Sequence, residues 1–391
     1  YLKATISYDD SEKYDNQPVQ LQGDFPQLSN DVESGWAIHW VNSKESGNNG
    51  NGGNKAAAVA KTKKASRKTV LTPSSSGIPY EILVVADGED YYNGAYDALK
   101  EVLESDVPGL PQAEPSFRIS KVSSNDFHRT LRYCRNILFV NIDPIYSQGK
   151  IKFSRDVYAS PQMVMTIQAQ DAKQFAKFVT DNGESIIDFF TKAEMNREIE
   201  LLKKKHSLFI SQKVDSLFDC EVWIPQELNK TKTAKNFFWA ATNKGEKDMN
   251  FVIYSYPYRD VNTFTKEYFF AKRDSVMKRY IPGPKKDQYM TTAHQFVTVK
   301  DSEVRGEYAQ IARGLWEMEN YDMGGPFVSI SRVDEKNQMV IVAEAFVYAP
   351  GDDKRNLMRR MEAALYTLTL PEEKEVEKFS YGIEEITIVP E

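Results

Sequence analysis

Tyr80 to Asp87 reads YEILVVAD, an unbroken apolar run closed by an acid and then by Gly88. A run without alternation suits a strand buried on both faces. It marks where a core begins. Upstream, residues 43–76 are first rich in glycine and asparagine and then basic, with no acid between Lys55 and Lys68. Such a segment holds too few large apolar groups to offset its ordering entropy and reads as a linker. Before it, residues 1–42 contain two alternating runs, LKATISY and WAIHWVN, which are too little for a core of their own.

Past the first strand, Tyr96, Leu99, Val102 and Leu103 share a helical face. FRISKV, RNILFVNID and QMVMTIQA read as further strands, with a short helix around Phe127 and Leu131. Asp171 is placed to cap a helix bearing Phe175, Phe178 and Val179. Asn182-Gly183 reads as its left-handed close, and a long helix follows through Ile187, Phe190, Ile199 and Leu202. This α/β domain spans residues 77–205, and its last helix joins it to a second domain, 206–371. There the texture is mostly strand: EVWIP, FFWAAT, NFVIYSYPY, HQFVTV, AQIARGLWEM, PFVSISRV and MVIVAEAFVYA. One helix starts near Asn262 and carries Phe264, Tyr268 and Val276. Another follows Asp352 and carries Leu357, Met358, Met361, Leu365 and Leu368 up to Pro371. Residues 372–391 are left as a tail. The expected fold class is α+β with two α/β-type domains: a mixed sheet with alternating helices, then a mainly antiparallel sheet with helices on one face.

Several function classes fall away on composition. A net charge of -6 lacks the dense basic stripe of a nucleic-acid binder. Two cysteines, Cys134 and Cys220, and four scattered histidines build neither a disulfide framework nor a zinc site. The chain has no run of about 18 apolar residues, hence no expected membrane-spanning helix. It opens at Tyr1 rather than a methionine, which suggests that a targeting segment or other upstream sequence has been removed or not read, and compartment is not legible from the visible start. No cofactor or metal set is expected.

The adjacent glycines Gly324 and Gly325 raise the question of a phosphate loop. Such a loop needs a helix immediately after it, whereas Pro326 and the alternating FVSISRV follow here. The pair is therefore read as a hairpin turn needing positive φ, with Met323 and Phe327 exposed at its tip. Asp87, Glu89 and Asp90 after the first strand are suited to magnesium, yet acids at a helix entry are ordinary. PSSSGIP is not a nucleophile elbow, and Cys134, Cys220 and His128 lack completing partners in the sequence. Among the tryptophans Trp223, Trp239 and Trp316, and the tyrosines Tyr254, Tyr256 and Tyr258 in alternate positions, the tyrosine stripe is the better candidate for a peptide or glycan groove, although large aromatics more often fill a core or pack on a sheet. The partner-contact candidates are Tyr254, Tyr256, Tyr258, Trp316, Met323 and Phe327.

The segments TPSSSGIPYEILVV, VPGLPQAEPSF, RNILFVNID, NFVIYSYPYRDVNTFTKEYFFAKRDS, GLWEMENYDMGGPFVS and FVYAPGDDKRNLMRRMEAALYTL, in this order, resemble a family known as domain of unknown function 4837. The resemblance runs from about Pro73 to Leu370. It implies bacteria of the Bacteroides lineage and a cell-envelope location, periplasmic or outer-membrane-anchored. It also implies a lipoprotein signal ending in a lipidated cysteine, although no cysteine precedes Pro73 here. It assigns no catalytic residue. The resulting expectation is a non-catalytic envelope protein that binds a protein, peptide or glycan. Its rivals are an enzyme, possibly a hydrolase using Asp87 or His128, with a site assembled at the domain junction, and a structural subunit of an envelope assembly.

Overall fold

The computed structural model describes residues 72–88, 94–242 and 244–375. The two runs of residues 1–42, most of the linker and residues 376–391 lie outside the described residues. At the linker's described end, Ser74 and Ser76 form bridges to Ser160 and Cys134. The fold is mixed α+β, built on two sheets.

YEILVVAD supplies β1 (Glu81–Val85), flanked by β2 (Arg118–Val122) and β3 (Asn136–Ile142). The edge beyond β3 is β4 (Lys150–Arg155), with β5 (Met163–Ala169) between them. Only β4 runs antiparallel to its neighbour in this sheet. Both faces of β1 are buried, as its composition requires. Ile82 and Val84 pack under α1 (Ala95–Leu103), α2 (Ala172–Asp181) and α3 (Gly183–Lys204), while Leu83 and Val85 meet Phe127, Ile137 and Val164 behind.

The Asp171 side chain accepts a hydrogen bond from the Gln174 amide at 2.8 Å and caps α2. The expected left-handed close does not form. Asn182 has φ −111°, and its side-chain amide donates to the Phe178 carbonyl at 2.8 Å, which satisfies the helix end without a left-handed residue. Gly183 instead begins α3, where an added Cβ would lie 3.1 Å from Val102 on α1. Close helix approach is its role.

At 22 residues, α3 is roughly 33 Å long. Ile186 and Phe190 enter the first core, and Met195, Ile199 and Leu202 enter the second. Between those stretches a buried polar clamp ties the helix to β3: Arg197 donates to Asn136 Oδ1 and Glu194 Oε1, each at 2.8 Å.

After α4 (Leu208–Phe218) come β6 (Lys230–Ala234), β7 (Phe237–Ala241), β8 (Asp248–Pro257) and α5 (Lys266–Tyr280). The chain continues as β9 (Met290–Thr292), β10 (Thr298–Val304), β11 (Glu307–Met318), β12 (Tyr321–Asp334), β13 (Met339–Tyr348), α6 (Arg355–Leu365) and α7 (Pro371–Glu375). In space the order is β10-β11-β12-β13-β8-β7-β6, with β9 also paired to β11. Every pairing in it is antiparallel. The end of α3, α4 and α6 cover one face, and α5 covers the other. Where the periodic reading carries the last helix to Pro371, α6 stops at Leu365. Thr369 leaves to bridge Glu221, while Leu368 and Leu370 stay buried.

The two sheets are joined along α6. Glu114 accepts from the Lys354 and Arg355 amides, both at 2.7 Å, and Arg359 donates to the Ser116 carbonyl at 3.1 Å. The Arg359 guanidinium also lies 4.5 Å from the ring of Tyr80, a buried aromatic at φ 64°. Left-handed backbone is costly for such a residue, so the surrounding contacts hold it there.

Candidate functional site

Strand β8 alternates strictly. Met249, Phe251 and Ile253 face α6, and Val252, Tyr254 and Tyr256 face α5. All six partner-contact candidates come together in this second layer, with Tyr254, Tyr256, Trp316 and Phe327 buried and Tyr258 and Met323 half-buried. The stripe faces inward because α5 covers it. Tyr254 and Phe327 are each 1% exposed and present no surface to a partner. Burial raises the phenols of Tyr254 and Tyr256 above the ordinary tyrosine range.

The glycine pair is not a turn. Gly324 and Gly325 lie inside β12 without positive φ, paired with Glu317 and Trp316. The chain reverses earlier, at Glu319-Asn320, where Asn320 takes φ 55°. Crowding explains the glycines: a Cβ on Gly325 would stand 2.1 Å from the Val347 carbonyl oxygen, and one on Gly324 2.9 Å from that of Trp316. With the Val347 carbonyl held close to Gly325, the Trp316 indole donates to it at 3.3 Å. Phe327, expected at a loop tip, is consequently deep in the strand.

A buried line of charge crosses the layer. The inward stripe of α5 is Phe269, Arg273 and Met277 rather than the expected Phe264, Tyr268 and Val276, which are only half-buried. Arg273 and Glu344 form a fully buried ion pair, with Nη2 2.8 Å from Oε1 and Nε 3.0 Å from Oε2. The guanidinium also rests 4.0 Å from the Phe327 ring centre and donates to Thr292 Oγ1 at 2.7 Å. The Thr292 hydroxyl in turn donates a hydrogen bond to Asp274 Oδ1 at 2.5 Å, and Asp274 Oδ2 lies 2.8 Å from His294 Nε2. His294 is exposed and stacks on Phe270 at 4.2 Å. Desolvation raises the Glu344 carboxyl, against the pull of Arg273. The line orients an imidazole at the surface. Among the described residues, however, its hydrogen bonds end at Asp274, with no hydroxyl or thiol nucleophile on the other ring nitrogen.

At the far end of β8 the aromatic layer reaches solvent. Tyr258 meets Phe264 at 6.1 Å, and Phe264 meets Tyr308 edge-on at 4.9 Å. Phe264 ends a 3₁₀ turn, Val261–Phe264, in which residues three apart eclipse, so Val261 stands on the same side and is 77% exposed. Asp260 caps this turn, and the Gln310 side chain donates to the Phe264 carbonyl. The Tyr308 hydroxyl donates to Asp301 at 2.7 Å. Of the tyrosine stripe, Tyr258 is the member that reaches this patch. The sequence signal that could have located it is NTF after Asp260, a capping box that starts a turn carrying an exposed aromatic.

The remaining sequence candidates stay apart. Asp87 is exposed and accepts from the Ser124 amide at 3.0 Å, while Glu89 and Asp90 lie outside the described residues. Among the described residues no three His, Cys, Asp or Glu are grouped to hold a metal ion. The His128 ring bonds the Asp126 carbonyl, and burial pushes both the Cys134 and Cys220 thiols up. Trp239 donates to Asn250 at 3.0 Å, and Trp223 belongs to the core under α6. No described helix is long and apolar enough to cross a membrane.

Residues 207–367 match the model of a family described as domain of unknown function (DUF4837), and residues 75–203 match a second, domain of unknown function (DUF8532). The first match supports the resemblance to domain of unknown function 4837 over the second half; the expected span from Pro73 is corrected, since residues 75–203 match the other family. No curated protein matches the chain.

Proposed function

We propose that this chain is a non-catalytic binding module of the cell envelope, carried on a lipid-anchored protein of the Bacteroides lineage, and that it docks a protein partner through the aromatic patch of Tyr258, Phe264 and Tyr308. The carrying observation is that patch: a row of three aromatic rings in which Phe264 touches both Tyr258 and Tyr308, with Val261 standing out beside them. Rigid aromatics flanked by polar groups are what interface cores are made of. Asp301 fixes the Tyr308 hydroxyl, so the ring is held before a partner arrives and less ordering entropy opposes docking. The location and the lipid anchor are supported by the family resemblance. A glycan in place of a protein, an enzyme assembled at the junction, and a permanent structural subunit are the rival readings.

A photo-crosslinking residue at Val261 should give discrete adducts in envelope fractions. The same residue at Ile145, 80% exposed on the first domain, should not. Tyr308→Ala should remove the Val261 adducts by weakening docking about thirtyfold or more, the scale of an interface hot spot. Equal labelling at both positions, or adducts indifferent to Tyr308, would sink the reading.

A further inference from the structure

The charge of this chain is unevenly placed. From Lys230 to Lys286, thirteen lysines and arginines stand against five aspartates and glutamates, in a protein whose net charge is -6. The fold gathers many of these cations around the outer face and C-terminal end of α5. Lys232, on the edge strand β6, donates to the Tyr280 carbonyl at 2.8 Å. The Tyr280 hydroxyl reaches the Lys235 carbonyl at 3.5 Å, which sets the β6–β7 turn beside the helix end. Lys285 and Lys286 are exposed in the loop that follows, which is pinned back by the Met290 amide on the Ile281 carbonyl at 3.0 Å.

Three further cations lie over aromatic rings. Lys272 is 5.3 Å from the Tyr256 ring centre and 5.2 Å from that of Tyr268. Lys278 is 4.1 Å from Tyr289, and Arg279 5.2 Å from Tyr280. None of these seven cations is ion-paired with a carboxylate among the described residues, whereas Lys177, Lys247 and Lys374 elsewhere are. Lys278 and Arg279 also complement the helix C-terminus, and Lys232 bonds the Tyr280 carbonyl there, which explains three of them. It does not explain a turn and a loop from separate parts of the chain adding Lys235, Lys285 and Lys286. The acids at the margin are Glu267 at the start of α5, Asp287 in the loop and Glu319 beside Tyr289.

We infer that this face of α5 docks on a bilayer surface rich in anionic lipid phosphate headgroups. Charge complementarity carries the inference: unpaired basic residues near such a surface gain energy individually, and lysines on long stems lying along tyrosines match the chemistry of a membrane interface. A nucleic acid fits less well. Single strands need open aromatic faces on which bases stack, and here Tyr256, Tyr268, Tyr280 and Tyr289 each carry a cation. Six of the seven cations are lysines, which act as point charges rather than bidentate phosphate forks. The inference rests on the α5 face and is independent of the Tyr258–Phe264–Tyr308 patch.

The full chain should co-sediment with vesicles of phosphatidylcholine mixed with phosphatidylglycerol, not with phosphatidylcholine alone, and should be released by raised salt. Reversing Lys278, Arg279, Lys285 and Lys286 to glutamate should weaken this by about six-hundredfold, at about fivefold per cation removed. The loop pair alone, Lys285→Glu with Lys286→Glu, should cost about twenty-fivefold and disturbs no helix. Reversing four exposed lysines elsewhere, Lys152, Lys204, Lys205 and Lys213, should leave binding near its original strength. Three results would overturn the inference: no preference for phosphatidylglycerol, equal loss in the control variant, or tighter binding to single- or double-stranded DNA than to the anionic vesicles.

Discussion

The backbone amide of Arg355 donates to the carboxylate of Glu114 at 2.7 Å, across 241 residues of chain. The second carboxylate oxygen takes the Lys354 amide at 2.7 Å, so one side chain from the first half caps a helix of the second. Helix N-termini leave such amides without partners, and a carboxylate there is favoured by both hydrogen bonding and the helix dipole. Glu114→Ala should therefore cost about 2 kcal/mol in chemical denaturation, with Glu114→Gln costing less because one acceptor remains. An unchanged midpoint for the alanine variant would show that the cap contributes nothing.

Arg273 and Glu344 offer a test of what a buried charge pair does. Either Arg273→Met or Glu344→Gln alone should destabilise by about 3–5 kcal/mol, since each leaves the other partner buried and uncompensated. The double variant Arg273→Met with Glu344→Leu should recover most of that. A double-mutant cycle with no coupling would mean that the pair is not the unit.

Gly325 should not tolerate a side chain. Because the obstacle is the Val347 carbonyl at 2.1 Å from an added Cβ, Gly325→Ala should cost about 1–3 kcal/mol and Gly325→Val more. Asn320→Gly, at the actual turn with φ 55°, should shift stability by only a few tenths. Thermal melts of the three variants distinguish backbone crowding from turn geometry, and phosphate, ATP and NAD should change none of them.

Alkali should unfold this protein early. Burial raises the phenols of Tyr80, Tyr254, Tyr256 and Tyr366 above the ordinary value of 10. Above that pH the unfolded chain releases these protons while the folded chain keeps them, so the stability present below pH 10 is lost as pH rises toward the folded values. Each such tyrosine contributes a slope of about 1.4 kcal/mol per pH unit. Denaturation midpoints measured upward from pH 9 should fall steeply. Tyr256→Phe should make the fall shallower, and a curve of unchanged slope would rule out Tyr256 as a contributor.

Local chemistry made much of this architecture legible. Unbroken apolar β1, the Asp171 cap and the α3 stripe each depend on neighbours within a few residues. The errors have the opposite character. Gly324 and Gly325 look like a turn beside Pro326, but the reason for Gly325 is Val347, more than twenty residues on in the sequence, and the reason for Gly324 is the Trp316 carbonyl on the paired strand. The tyrosine stripe looks amphipathic until α5 covers it, and α5 hides its inward face because an arginine sits in the middle of that stripe. A net charge of -6 is a sum, and a sum conceals the basic stretch from Lys230 to Lys286.

Helix α3 carries a last consequence. The two family matches meet between residues 203 and 207, where this helix ends, yet Met195, Ile199 and Leu202 from its final turns are packed into the other half. A cut at that seam would leave one piece with a greasy spike and the other with a socket. Moving either half into another protein would require a substitute for that plug, because the apolar side chains of Met195, Ile199 and Leu202 would otherwise face water.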